Sequence, residues 1–263
     1  MLLCCSLGLT DNRAVTARFY TADAHRVGDL VDLPPEEAAH LARVLRLKAG
    51  SPVRLFNGTG GEFEGVVEAV GKGRARVRLT GTCEAAREPR VAITLAQAVL
   101  KGDKMDEVVR DAVMMGVAAV QPVVTARSEV ALASLRRGRR QERWHRIAVA
   151  AAKQSGRATV PPILEPCAFP DLTAALAQMT LPGPAAMFVE PSADEGTLAL
   201  SDLSDPPPRE TTVIVGPEGG WDDEELARGA AVCRLVTLGR RTLRADAMAI
   251  VALAALFAIW KEY

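Results

Sequence analysis

The sequence has few of the features that mark secreted, membrane-spanning or zinc-binding proteins. Its five cysteines are scattered, and none has the C-x-x-C or Cys/His spacing of a zinc site, which favours a reducing compartment. The longest apolar run, Ala247–Trp260, has 14 residues, whereas a membrane-spanning helix needs about 20. We therefore predict a cytoplasmic protein with no membrane partner and no bound metal.

The chain also lacks a secretion signal and an excess of charge of either sign. Residues 1–16 are briefly apolar but have no basic segment ahead of the apolar run, so we predict a tail that belongs to no folded domain. The net charge is zero, yet residues 126–160 carry nine Lys or Arg against two acids, and residues 190–232 carry two Arg against eleven acids. A chain with this distribution can hold a polyanion on one face.

The pattern of strands and turns predicts two domains. Within residues 17–86, short β-rich segments separated by Asn-Gly and Gly-Lys-Gly breaks indicate hairpins of a small barrel. Pro34 and Pro35 open one helix there, which we expect to run to Gly50. Arg43 and Arg46 would then share a helical face and contact phosphate, although an ordinary solvated face is the alternative.

Residues 87–263 alternate between apolar strands and helices, a pattern typical of an α/β domain with a mostly parallel sheet. Two strand–turn–helix units close this domain, with turns at Gly216–Gly220 and at Gly239–Arg244. Ligands of such sheets bind where the strands end. We therefore expect the binding site at these two turns.

The first turn is followed by four consecutive carboxylates, from Asp222 to Glu225, and Asp222 and Glu225 have the spacing of a capping box. A helix N-terminus ordinarily attracts anions, but these acids repel them, and the turn has neither the G-x-G-x-x-G nor the Walker pattern. A phosphate-free ligand with a positive centre, such as S-adenosyl-L-methionine, suits the turn. A simple tight turn followed by a helix cap is the alternative.

The second turn is rich in arginine. Arg240, Arg241 and Arg244 surround Leu243, and Asp246 stands at the start of the last helix. Arginines beside an apolar pocket can grip an RNA phosphate or stabilise charge on a base oxygen. Asp246 can alternatively cap the helix and pair with an arginine. The last helix is apolar nearly all round, as expected if one side packs on the sheet and the other on a partner subunit.

Several stretches resemble the bacterial 16S ribosomal RNA uridine-N3 methyltransferases of the SPOUT superfamily: IVGPEGGWDDEEL, LGRRTLRADAMAIVALAAL, KGDKMDEVVRDAVMMGV, AAKQSGRATVPPI and HLARVLRLKAGSPVRLFNGTGGEFEGVV. The resemblance covers about residues 17–260. It implies a PUA-like barrel over 17–86 and a SPOUT domain over 87–263 with a deep trefoil knot, an exception among folds. It also implies a homodimer that binds S-adenosyl-L-methionine and modifies one uridine of 16S rRNA in the 30S subunit.

The resemblance also implies roles for individual residues. The donor pocket would be lined by Phe188, Val189, Glu190, Gly216, Glu218, Gly219, Gly220, Leu238, Gly239, Leu243 and Arg244. Among the ionisable residues of the two turns, Arg244 would support charge on the uracil oxygens, and Asp246 or Glu218 would take the N3 proton. From the distribution of basic residues, we also expect phosphate contacts from Arg18, Arg43, Arg46, Lys101, Lys104, Arg127, Lys153, Arg157, Arg240 and Arg241.

The chain departs from the family pattern after Arg244. The family usually has Thr-Glu there, whereas this chain has Ala245-Asp246, so a hydroxyl is lost and a carboxylate is one methylene shorter. Two alternatives stay open. One is a SPOUT enzyme with another target, such as a tRNA ribose 2′-hydroxyl. The other is a non-catalytic RNA-binding factor of ribosome assembly.

Overall fold

The computed structural model describes residues 16–179, 185–191, 197–204 and 206–262. The chain divides into two compact units, one that ends at Glu84 and one over Ala85–Tyr263. The predicted tail, residues 1–16, lies outside the described residues except for its last position. No helix in the described ranges is both long and apolar enough to cross a membrane.

The first unit is built on a five-stranded sheet. Its strands are β1 (Arg18–Tyr20), β2 (Leu30–Asp32), β3 (Pro52–Phe56), β4 (Glu62–Gly71) and β5 (Arg74–Thr82), in the order β1-β3-β4-β5-β2. Only β1 and β3 are parallel. The predicted hairpin at Asn57–Gly61 is confirmed, because the Asn57 side-chain oxygen accepts from the N–H groups of Thr59 and Gly61, both at 2.9 Å.

The helix predicted to run from Pro35 to Gly50 is wrong in its second half. Helix α1 covers Pro35–Ala39, and a π-helical turn over His40–Val44 follows it. The chain then leaves the helix, and Arg46 has a left-handed backbone with φ of 53°. Buried Leu41 anchors the turn, and its carbonyl accepts from the N–H of Leu47. Arg43 and Arg46 therefore do not share a helical face.

The second unit alternates strands and helices as predicted. Its strands are β6 (Ala92–Ala98), β7 (Ala119–Val124), β8 (Cys167–Ala168), β9 (Ala185–Phe188), β10 (Leu198–Ala199), β11 (Glu210–Val215) and β12 (Cys233–Thr237). Its helices are α2 (Lys104–Met115), α3 (Leu132–Arg137), α4 (Arg140–Ser155), α5 (Phe169–Gln178), α6 (Asp223–Val232) and α7 (Ala245–Ile259). The short elements α3, β10 and a 3₁₀ turn at Leu200–Leu203 were not predicted.

All seven strands of this second sheet are parallel, in the order β10-β12-β9-β11-β6-β7-β8. Strand β9 lies between β11 and β12, with Phe188 opposite both Val215 and Val236. Parallel strands present their carboxyl ends at one edge. The segments that follow β9, β11 and β12 therefore meet at a single place.

Helix α7 packs one face into the second unit and leaves the other exposed. Its buried side includes Ala249, Leu253, Leu256 and Phe257, whereas Val251 on the opposite side is 43% exposed. The sequence prediction that one side packs on the sheet is met by contacts of α7 with β11 and α2.

Candidate functional site

A cavity of about 420 Å³ opens where the segments after β9 and β11 meet the start of α7. Volumes of this order hold nucleoside-sized ligands. Its walls combine apolar and charged groups, and they are Lys104, Phe188, Val189, Glu190, Val215, Gly216, Pro217, Glu218, Gly220, Trp221, Thr242, Leu243, Arg244, Ala245, Asp246 and Met248.

Trp221 fixes the first turn from inside the protein. Its ring is 8% exposed and lies 5.0 Å from the ring of Phe169, and its Nε1 donates to the carbonyl of Phe188 at 2.9 Å. A Cβ on Gly216 would lie 2.9 Å from this indole, so glycine is required there by close packing. The Gln97 side-chain amide also donates to the Gly216 carbonyl, at 3.4 Å.

The predicted capping box at the start of α6 is confirmed. The Asp222 carboxylate accepts from the N–H of Glu225 at 2.7 Å, and the Glu225 carboxylate accepts in return from the N–H of Asp222 at 3.4 Å. Glu225 is only 6% exposed. Asp223 and Glu224 complete the acidic first turn, which keeps this helix end unfavourable for a phosphate.

Glu218 faces the cavity as part of an ion pair. The Lys104 ammonium donates to its Oε1 at 2.9 Å, and the N–H of Lys101 donates to the same oxygen at 3.3 Å. Partial burial raises the pKa of Glu218. The hydrogen bonds from Lys104 and from backbone N–H groups lower it by a larger amount, so the pKa lies below its ordinary value. Glu218 is therefore a carboxylate at neutral pH.

Asp246 faces the same cavity from α7. Arg244 binds it through two hydrogen bonds, Nε to Oδ1 at 3.1 Å and Nη2 to Oδ2 at 2.8 Å. Partial burial raises the pKa of Asp246, and the Arg244 guanidinium more than offsets this, so the pKa is lowered overall. The expected pairing with an arginine is present. Arg244 is the N-cap residue of α7, and Asp246 lies in the first helical turn, where backbone N–H groups of Asp246 and Ala247 also lower its pKa.

The cavity brings together eight of the eleven residues predicted to line a donor pocket. Gly219, Leu238 and Gly239 belong to the two turns but are not among its walls. Sequence reasoning missed Trp221 and Met248. The indole of Trp221 directly follows the glycine turn, so its place in the sequence could have indicated it. In the described ranges no three His, Cys, Asp or Glu side chains are placed to hold a metal ion.

Comparisons with known proteins find the same two-part organisation. A family model described as an RNA methyltransferase domain matches residues 87–257, and an RNA methyltransferase PUA domain matches residues 33–80. Ribosomal RNA small subunit methyltransferase E of Synechocystis is 31% identical over 92% of this chain and 77% of its own length. The chain belongs to this RNA methyltransferase family.

Solved structures of this family extend the likeness to the whole architecture. Ribosomal RNA small subunit methyltransferase E of Neisseria gonorrhoeae, solved with S-adenosyl methionine, is 32% identical with a TM-score of 0.82, over 93% of this chain and 98% of that one. A Legionella pneumophila protein solved with bound SAM is 31% identical with a TM-score of 0.82, over 92% and 97% of the two chains. The SPOUT-type α/β fold and the PUA domain that the resemblance implied are thus confirmed.

The sequence predicts ten phosphate-contacting cations, and the structure places several of them in internal contacts. Arg157 is 5% exposed and donates to Glu88 and to the carbonyls of Val113 and Val117. Its guanidinium is saturated by protein acceptors, so the expectation that it contacts phosphate is wrong. Arg18 likewise forms a two-bonded pair with buried Glu62 and lies over the Phe56 ring.

Some of the remaining cations are bonded to protein groups, and others are exposed. Lys101 pairs with Glu129, Lys104 with Glu218, and Arg127 donates to a backbone carbonyl. Lys153 is half-buried on α4. By contrast, Arg43, Arg46, Arg240 and Arg241 are exposed. The structure adds exposed Arg139, Arg140 and Arg146, which the sequence prediction had counted in the basic region without naming.

Proposed function

We propose that this chain transfers a methyl group from S-adenosyl-L-methionine to N3 of one uridine in 16S rRNA of the small ribosomal subunit. The observation that carries the proposal is one cavity lined by both glycine turns, with the Arg244–Asp246 pair on its wall. Family membership and relatives solved with S-adenosyl methionine support it.

The chemistry of the cavity suits this donor. Leu243 and Met248, which are both half-buried, offer apolar surface to an adenine ring. Glu218 and Asp246 are each neutralised by a cation, whereas Glu190 is an exposed wall residue with no ion pair recorded among the described residues. The wall therefore carries a net negative charge, which favours a sulfonium and disfavours a phosphate. When bound, S-adenosyl-L-methionine supplies the electrophilic methyl group.

The chain's own residues would activate N3 of the uridine for methyl transfer. The imide N3 of uracil is a poor nucleophile until its proton is removed. A carboxylate of Asp246 or Glu218 would accept that proton, and the Arg244 guanidinium would support the charge on the uracil oxygens. Both carboxylates have lowered pKa values, so both are deprotonated at neutral pH, while the same shift makes each a weaker base. Placement of the two reactants would supply much of the rate.

RNA would bind through exposed cations, which in the second unit lie on helix α4 and beside the second turn. Helix α4 buries Trp144, Ala148 and Ala152, while Arg146 is exposed and Arg139 and Arg140 are exposed at its start. Arg240 and Arg241 are exposed beside the second turn. Phosphate contacts of this kind release counterions, so we expect RNA affinity to fall steeply with salt. A flat salt response would contradict this part of the proposal.

The proposed enzyme is a cytoplasmic homodimer with a trefoil knot at the donor pocket. The outward face of α7 supports the dimer, because Ala247, Val251 and Ala258 are exposed there and the helix has a single charged residue, Asp246. Apolar helix faces of this kind mark subunit contacts. The knot is proposed from membership of the RNA methyltransferase family.

Nucleoside mass spectrometry tests the reaction. We expect 30S subunits from a strain lacking the enzyme to gain one N3-methyluridine when incubated with the protein and S-adenosyl-L-methionine. Methylation of a ribose 2′-hydroxyl would identify a different SPOUT target. Donor binding by calorimetry separates the enzyme from a non-catalytic RNA-binding factor, which would show none.

A further inference from the structure

Arg127 lies on the loop after β7 and is directed towards the first glycine turn. Its Nη1 donates to the Gly219 carbonyl at 2.7 Å. The two residues are 92 positions apart, so sequence reasoning had no local signal for this contact. A hydrogen bond from a charged donor is among the stronger types in proteins.

The stem of Arg127 also supports this turn. A Cβ on Gly219 would lie 3.1 Å from the Arg127 Cβ and 3.4 Å from its Cδ, so the Gly219 backbone rests on the arginine side chain. Gly220, with φ of +70°, is the next residue, and a Cβ there would lie 3.8 Å from Arg127 Nη1. Arg127 therefore contacts the stretch of the turn that precedes Trp221.

The loop that carries Arg127 is itself anchored. The N–H of Ala126 donates to Glu225 Oε1 at 2.8 Å, and Glu225 is the buried member of the capping box. Thr125 and Ser128 close the loop through an N–H···Oγ bond of 3.1 Å and a hydroxyl contact of 2.8 Å. Arg127 thus extends from a base fixed to α6 to the turn that precedes α6.

From these contacts we infer that Arg127 is a positioning residue that holds the Gly219–Gly220 segment in its donor-binding conformation. This differs from the phosphate contact that the sequence predicts for Arg127. It goes beyond the proposed function, on which it depends only for the identity of the donor. Donor affinity measured without RNA should therefore depend on Arg127.

Three variants test whether a charged donor at position 127 is needed. Arg127→Met keeps an unbranched stem but removes the donor, and Arg127→Lys keeps a charged donor. Arg228→Met removes an exposed arginine of α6 that pairs with Glu224 outside the cavity. By calorimetry with S-adenosyl-L-methionine, we expect Arg127→Met to bind about 3- to 10-fold more weakly, the equivalent of one hydrogen bond. Arg127→Lys should recover most of the affinity, and Arg228→Met should match the wild type.

RNA binding distinguishes the positioning role of Arg127 from a phosphate contact. A positioning role leaves the slope of log affinity against log salt unchanged in Arg127→Met, and raises the KM for the donor but not for RNA. A phosphate contact would lower that slope by about 1 and leave donor affinity intact, which would overturn the inference.

Hydrogen exchange decides the inference without any donor. The N–H of Gly220 donates to the Pro217 carbonyl at 3.1 Å within the turn, so its exchange rate reports local opening. We expect faster exchange at Gly220 in Arg127→Met and a wild-type rate in Arg228→Met. Unchanged exchange would overturn the positioning role, whereas a wild-type protein that binds no S-adenosyl-L-methionine would overturn the proposed function instead.

Discussion

The two glycine turns of the cavity are held in different ways. The Gly216–Gly220 turn is fixed by an indole beneath it, a lysine on Glu218 and an arginine on Gly219. The Gly239–Arg244 turn has little of this support. A Cβ on Gly239 would meet nothing within 4 Å, and Arg240 and Arg241 point into solvent.

This difference indicates that the two turns have different roles. A turn whose neighbours are all fixed is preorganised for one small ligand and loses little conformational entropy when that ligand binds. A turn with exposed arginines can adapt to a large, charged substrate. We therefore expect substitutions in the first turn to change donor affinity and substitutions at the second to change catalysis and RNA binding.

The largest effect should come from the charged pair at the second turn. Arg244→Ala removes the group proposed to support charge on the uracil oxygens, and Asp246→Ala removes a candidate base. We expect kcat on 30S subunits to fall about 100- to 1000-fold for Arg244→Ala and about 100-fold or more for Asp246→Ala if Asp246 is the base.

Donor affinity should stay within a few-fold of wild type in both variants. Arg228→Ala, on the exposed side of α6, is the control and should retain the wild-type rate. A wild-type kcat in both Arg244→Ala and Asp246→Ala would mean that the second turn takes no part in the reaction. If kcat falls in Arg244→Ala but not in Asp246→Ala, then Glu218 becomes the candidate base.

A pair of glycine substitutions compares the two turns directly. Gly216→Ala places a methyl group 2.9 Å from the Trp221 ring, and overpacking of this kind costs about 1–3 kcal/mol. We expect donor binding to weaken about 10- to 100-fold. Gly239→Ala meets no atoms but must adopt a φ of +85°, which costs about 1 kcal/mol. Calorimetry should show the larger loss for Gly216→Ala, and equal losses would contradict the contrast between the turns.

Trp221→Phe probes the hydrogen bond beneath the first turn. Phenylalanine retains most of the ring packing but leaves the buried Phe188 carbonyl without its donor, which costs about 1 kcal/mol or more. Trp260→Phe is a matched control, because Trp260 Nε1 donates to the Leu203 carbonyl at 2.7 Å, away from the cavity. Chemical unfolding should show a comparable loss of stability for both variants. Only Trp221→Phe should weaken donor binding, by about 3- to 10-fold.

The sequence predicts local features of this molecule well and long-range ones poorly. The Asp222–Glu225 capping box depends on residues three positions apart, and alternating strands and helices show directly in the hydropathy pattern. The contacts of Trp221 with Phe188 and of Lys104 with Glu218 span 33 and 114 positions, and no local pattern encodes them.

The failed predictions have the same origin. Arg157 looks like any basic residue in a basic region, and only tertiary packing shows that its guanidinium is consumed by Glu88 and two carbonyls. The helix from Pro35 ends early at a left-handed residue, Arg46, after which the N–H of Leu47 bonds back to the Leu41 carbonyl. Glycine usually marks such an end, and an arginine there gives no sequence signal.

The smallest expected effect is the pH dependence of the Lys104–Glu218 pair. Glu218→Gln keeps the side-chain shape but removes the charge, and a partly exposed pair contributes about 1 kcal/mol or less. Because the folded pKa of Glu218 lies below its ordinary value of 4.5, the carboxylate stabilises the fold fully above that value. The contribution is lost as the pH falls through the lower, folded pKa.

The difference in unfolding free energy between wild type and Glu218→Gln should therefore be constant from pH 7 to about pH 5 and shrink below about pH 4. Urea unfolding across this range measures it. Glu224→Gln removes a pair from the exposed side of α6, where Arg228 donates to Glu224 at 2.7 Å, and should change stability by about 0.5 kcal/mol or less. A difference for Glu218→Gln that persists unchanged at pH 3 would mean that Lys104 does not hold this carboxylate. The first turn would then depend on Trp221 and Arg127 alone.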